Sequence, residues 1–182
     1  MKYKLKIVIL LVLLIICCLS TINNNSISNN ISIKPINSYK IDNKSSNTKE
    51  NDCIGKINIS KIKLNTKLYK KDSKLNNVNK NVMILAESSY PDEKNSNLIL
   101  AAHSGFSKKA YFNNLKYLDI GDVIDITYKE KLYQYELTNI YEIEKTGTAR
   151  IIRNKNKSTI TLITCKHNTN KQLIFIGELI VM

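Results

Sequence analysis

The stretch Ser158 to Cys165, STITLITC, constrains the fold more than any other part of the chain. Every residue from 159 to 164 is β-branched or leucine, with Thr159, Thr161 and Ile163 alternating against Ile160, Leu162 and Thr164. Branched side chains suit a pleated, buried surface, so the stretch reads as a core strand. The strand ends on Cys165 and turns polar at once, through Lys166, His167, Asn168, Thr169 and Asn170. A thiol at the last residue of a rigid strand, facing a polar loop, is held in place and still open to a substrate. Cys165 is therefore a candidate nucleophile. The competing reading is a small core residue, because free cysteine is among the most buried residue types.

Upstream the same patterning recurs. IGKINISKIKLNTKLY alternates apolar and polar over Ile54–Ile59 and again over Ile62–Tyr69, which predicts two short strands joined at Ser60-Lys61. Val82–Ala86 and Asn97–Ala102 predict two more, with a Pro91-containing loop between them. Phe106, Ala110, Leu115 and Leu118 share one face of a helix expected over 106–118. Val123–Tyr128 and Leu132–Ile143 predict a hairpin about Lys129-Glu130-Lys131, and Gln172–Val181 a last strand. Many short strands, little helix and closely spaced turns indicate a mainly β domain, an antiparallel-rich barrel or sandwich.

The N-terminal part is of another kind. Lys2, Lys4 and Lys6 precede an unbroken apolar run from Ile7 to Leu19, the pattern of an export signal or a retained signal anchor. No small-residue cleavage site follows the run, so residues 1–22 are expected to be a retained anchor. The lysines before it leave Met1 in the cytoplasm and the remainder outside. Residues 23–52, rich in Asn and Ser, are expected to be a linker, and 53–182 the folded domain.

Composition narrows the chemistry. The net charge of +13 suits anionic lipid head groups or an anionic wall polymer. Nucleic acid is disfavoured, since no basic-aromatic motif or zinc spacing accompanies the charge and the domain faces outward. Two of the four cysteines lie in the anchor, and Cys53 and Cys165 alone do not make a disulfide framework. Two histidines and scattered cysteines lack metal-ligand spacing, so no metal and no cofactor is expected. A calcium site built from Glu87, Asp92, Glu93, Glu142 or Glu144 would need a loop signature that these surface acids lack.

Two predicted strands end in a reactive side chain, one at His103 and the other at Cys165. A thiol is weakly nucleophilic at its free pKa, and a neighbouring imidazole activates it or protonates a leaving amine. His103 is the candidate partner; His167, two residues after the cysteine, is a rival base. Over roughly 54–181 the chain resembles the sortases, exported cysteine transpeptidases of Gram-positive cell surfaces. IGKINISKIKLNTKLY resembles their paired opening strands, NLILAAHSG the strand ending in their catalytic histidine, and TLITC their nucleophile strand. AYFNNLKYLDIGDVIDI resembles the intervening helix, turn and strand, and the His-then-Cys order and N-terminal anchor agree.

The resemblance implies a closed eight-stranded β-barrel with one or two short helices. It further implies that Cys165 attacks the Thr-Gly carbonyl of an LPxTG-like sorting signal on a surface protein, forming a thioacyl enzyme. His103 would protonate the departing amine, and an amino group of a cell-wall precursor, or of another protein subunit, would resolve the intermediate. At one place the chain departs from the pattern: the arginine that opens the last strand in sortases is here Gln172, with Lys171 beside it. Successive strand residues face opposite ways, so Lys171 cannot take the position without a bulge. This departure motivates a second reading, an impaired sortase-like module that binds sorting signals or wall polymers. Arg150 and Arg153 are expected to be solvated charges of the connector 144–158. There is no Asp-Pro-aromatic lid, the connector is short, and the chain stops at Met182 just past the last strand. A class A, D or E-like member is therefore expected rather than a pilin-polymerising or class B one. An L,D-transpeptidase would want Gly-Cys-x-Arg, which Thr164-Cys165-Lys166-His167 does not offer.

Overall fold

A computed structural model describes residues 52–182. The expected anchor, and all of the expected linker but Asp52, lie outside the described residues. Among the described residues no helix is long and apolar enough to cross a membrane.

Strands β1 (Cys53–Ile59), β2 (Leu64–Tyr69), β3 (Met83–Ile84), β4 (Asn97–Ala101), β5 (Val123–Tyr128), β6 (Lys131–Glu144), β7 (Thr159–Cys165) and β8 (Lys171–Val181) make one sheet. Its order is β2-β1-β5-β6-β8-β7-β4-β3. All pairings are antiparallel except β4 with β7. The sheet curls until its edges β2 and β3 come into contact. No ladder joins them, because β3 is two residues long and pairs only with β4, so the barrel is nearly closed rather than closed.

Alternation explains the outer strands. Ile57 and Ile59 of β1, Leu64 and Leu68 of β2, Ile124, Ile126 and Tyr128 of β5, and Tyr133, Tyr135 and Leu137 of β6 all fill the barrel interior. Strands β4 and β7 do not alternate, because both of their faces are covered. Leu98, Leu100, Ile160 and Leu162 point into the barrel. Ile99 and Ile163 join Ile174 and Ile176 of β8 in a second apolar layer on the other face. The connector between β6 and β7 folds back over that layer through Ile151. Tyr141 pins it by donating its hydroxyl to the Arg150 carbonyl (3.0 Å) and accepting from the Ile152 N–H (2.8 Å).

Arg153 is a correction to the sequence reading. It is half-buried, and its guanidinium donates to the carbonyls of Asn95 (3.4 Å), Asn154 (3.3 Å) and Lys157 (3.3 Å). A planar fork with several donors ties the connector to the loop before β4, where a point charge would reach fewer acceptors. Arg150 is exposed, as expected.

The helix expected over 106–118 is also corrected. Only a 3₁₀ turn forms, Asn113–Tyr117, with a second at Ser60–Ile62. Phe112, Leu115 and Leu118 are the buried residues, and a spacing of three is the period of the tighter helix. Phe106, assigned to the apolar face of a helix, is 95% exposed.

Candidate active site

The parallel pairing of β4 with β7 builds the site. Its register runs from Asn97↔Thr159 to Ala101↔Ile163. Parallel strands end at the same edge of the sheet, so the two reactive residues emerge together. Hydrogen bonds past the ladder keep the register: the Ala102 N–H donates to the Ile163 carbonyl (3.3 Å) and Thr164 Oγ1 to the Ala102 carbonyl (2.9 Å). Ser104 Oγ donates to the Cys165 carbonyl at 2.5 Å. The ladder ends at Ala101↔Ile163, and His103 and Cys165 each lie two residues further along their own segments, at the same end of the strand pair.

The far end of the same pair is pinned as well. Asn97 Oδ1 accepts from Thr159 Oγ1 (3.1 Å) and Thr161 Oγ1 (2.9 Å), all three residues being buried. A slip of one residue would turn every side chain to the opposite face, Cys165 included. Each buried bond contributes roughly 1 kcal/mol against such a slip, and an orphaned buried oxygen costs more.

Cys165 is half-buried and His103 exposed. His103 Nε2 lies 3.1 Å from Asn79 Oδ1. Since Oδ1 can only accept, Nε2–H is the donor in this bond. His167, the rival base, is exposed, and its ring meets Phe106 edge-on at 5.1 Å between centroids.

Two concavities flank the thiol. A groove of about 810 Å³ runs over the outer layer, floored by Ile99, Ala101 and Ile163 and walled by Leu85, Ile151 and Gln172. A smaller cavity of about 270 Å³ contains Cys165 itself, with Phe106, Phe112, Lys116, Lys166 and His167. Gln172 is the cross-strand partner of Cys165, on the same face of the sheet. Lys171 faces the other way and pairs with Glu142 at 3.4 Å, as strand alternation requires. Lys166 shares the same carboxylate. The Lys166 ammonium, hydrogen-bonded to Glu142, holds that carboxyl below its ordinary pKa, against a smaller opposing effect of burial.

The acids considered for calcium are not gathered together. Asp92 is paired with Lys129 (2.8 Å), Glu93 accepts from the Tyr90 N–H (2.6 Å), and Glu142 is taken by its two lysines. Cys53 and Cys165 are both free thiols. Asn79, Ser104, Phe106 and Lys116 are the site neighbours that sequence reasoning missed. Asn79 lies in an asparagine-rich stretch where nothing local distinguishes it, and the other three are neighbours only through the fold.

A family model described as the Sortase domain matches residues 57–180. The chain belongs to the sortase family. Among curated proteins it is similar to sortase A of Listeria monocytogenes, 26% identical over 133 residues. That match covers 69% of this chain and 56% of the relative, so the chain spans little more than half of that relative's length. Among solved structures it is similar to a sortase D5 transpeptidase of Clostridium perfringens, at TM-score 0.61 and 28% identity, covering 71% of this chain and 80% of that one. It is similar also to Clostridium perfringens sortase C solved with the C-terminal cell wall sorting motif, at TM-score 0.62 and 25% identity, covering 72% of each chain. Sortases are cysteine transpeptidases, and their barrel is the one described here.

Proposed function

We propose that this sortase is a membrane-anchored, extracellular cysteine transpeptidase that cleaves an LPxTG-like sorting signal and joins the carrier protein to a cell-wall amine. The observation that carries the reading is the β4/β7 pair, which brings His103 and Cys165 to one sheet edge beside an apolar groove. The groove floor of Ile99, Ala101 and Ile163 offers apolar contact to an extended peptide, and the Ala149 side of the connector covers it.

In this mechanism Cys165 Sγ attacks the threonine carbonyl of the bound signal. The carbon–sulfur bond forms, the Thr-Gly carbon–nitrogen bond breaks, and the His103 imidazolium gives its proton to the departing amine. The thioacyl enzyme then meets an incoming amine, whose proton passes to His103 as the amide forms and the thiolate leaves. Residues 1–22 hold the enzyme at the membrane, where its clients and the wall precursor are found.

The test is intact-mass analysis of the full chain in detergent micelles incubated with an LPxTG-type peptide library. The reading expects a thioacyl adduct that Cys165→Ala abolishes, and loss of leaving-peptide release in His103→Ala. A second reading rests on Gln172 standing where the family arginine is expected: a module that binds sorting signals without turnover. Peptide binding with no adduct over the whole library would establish that reading instead.

A further inference from the structure

The two concavities beside the thiol differ in charge. The groove carries Glu87 and Lys145, one of each sign. The smaller cavity carries Lys116, Lys166 and His167 and no carboxylate among its lining residues. Glu142 pairs with Lys166 from outside that lining, but it is shared with Lys171, so one carboxylate faces two ammoniums. Among the described residues Lys116 is engaged only by the face of Tyr117, 5.1 Å away, and forms no ion pair. The cavity is therefore electropositive, and it is the one that contains Cys165.

We propose that this cavity seats the acceptor in the second half-reaction and selects amines whose carrier also bears a carboxylate. The inference rests on the transpeptidase reading above and names the substrate class of its second step. Two effects of the same lysines converge. A carboxylate entering between Lys116 and Lys166 forms charge-assisted hydrogen bonds, about twice as strong as neutral ones. Nearby positive charge also disfavours the ammonium form of the acceptor and leaves more of it as the neutral, nucleophilic amine. At about 270 Å³ the cavity lies just below the usual range of small-molecule sites, so it admits the reacting end of an acceptor rather than a whole one. Phe106 and His167, set edge-on, wall its mouth. In the step itself the neutral amine attacks the thioacyl carbonyl, the carbon–nitrogen bond forms and the carbon–sulfur bond breaks. The surplus amine proton goes to His103 and the electron pair leaves on Cys165 sulfur.

The experiment compares two acceptors that differ only in charge, glycylglycine and glycylglycine amide, on full-chain enzyme first converted to its thioacyl form by a sorting-signal peptide. Below saturation the free dipeptide is expected to resolve the intermediate about tenfold faster than its amide. That ratio falls towards one in the Lys116→Gln/Lys166→Gln double variant. In the unaltered enzyme it falls likewise as ionic strength rises from about 0.05 M to about 0.5 M. Equal rates for the two acceptors in the unaltered enzyme, or a ratio that survives the double variant, would overturn the proposal while leaving the transpeptidase reading intact. Failure to form any thioacyl enzyme would overturn both.

Discussion

Gln172 is the position at which a single substitution says most about the chemistry. It stands directly across the β7/β8 ladder from Cys165, at a distance where opposed side chains are about 5 Å apart at Cβ. Among the described residues its carboxamide has no hydrogen-bond partner, so it is free to meet the oxyanion that forms when the thiol attacks. A neutral donor contributes about 0.5–1.5 kcal/mol net, and a charged one about 1.5–3. Gln172→Arg therefore adds roughly 1.4 kcal/mol at the transition state, about tenfold in kcat. Gln172→Ala removes the donor and lowers kcat about two- to tenfold, below the roughly 10²–10³ that loss of a dedicated oxyanion donor costs elsewhere. Because Gln172 also lines the peptide groove, the informative quantity is the split between kcat and KM in a stopped assay of leaving-peptide release. Both variants are expected to change kcat at nearly constant KM. If Gln172→Ala turns over like the parent, or Gln172→Arg changes KM alone, the oxyanion is stabilised by some other group and the reasoning fails.

Four further outcomes follow from particular contacts. Asn79→Ala frees the His103 ring and should lower kcat about three- to tenfold, the worth of one neutral hydrogen bond. Tyr135 is fully buried, among the described residues its hydroxyl has no partner, and burial, then Tyr133, pushes its pKa up. Tyr135→Phe should therefore raise stability by about 1 kcal/mol, a rise of a few degrees in Tm by calorimetry, and a fall would reveal a hidden partner. At Gly55 an added Cβ would lie 2.0 Å from the Thr127 carbonyl oxygen, a backbone atom that cannot swing aside; Gly55→Ala should cost about 3 kcal/mol or more in urea unfolding. Glu142 has its folded pKa lowered by Lys166, so its contribution is complete above the ordinary carboxylate pKa of about 4.3 and lost as pH falls through the folded value. The Tm difference between parent and Glu142→Gln should accordingly be constant near neutrality and vanish in acid.

The parts of the fold legible in the sequence are those whose pattern is local. Ile124, Ile126 and Tyr128 alternate because one face of β5 meets the barrel core. The hairpin was legible too, but its loop is two residues, Lys129 and Glu130, both at positive φ (49° and 66°). Neither residue favours that conformation, and the Tyr128↔Lys131 closure of the ladder imposes it. Arg153 was misread for a tertiary reason: a connector charge is solvated unless the connector folds back on the sheet, and this one does. The missing helix failed differently, since a three-residue repeat of buried side chains passes for a helical face over so short a span.

The same logic explains why the candidate nucleophile could be found while its surroundings could not. A strand buried without a break, such as ITLIT, must be covered on both faces, and its second cover is the connector layer that walls the groove. The first residue beyond that double burial is the earliest position at which a thiol can meet solvent while still fixed by the ladder, and that residue is Cys165. The strand that pairs with it in parallel ends at Ala101, and the chain past it becomes exposed at His103. Asn79, Phe106, Lys116 and Gln172 approach this edge from other segments, brought by barrel curvature and ladder register rather than by any pattern of their own. A site at the shared end of two doubly buried parallel strands is thus half written into the apolar runs and half into the closure of the sheet.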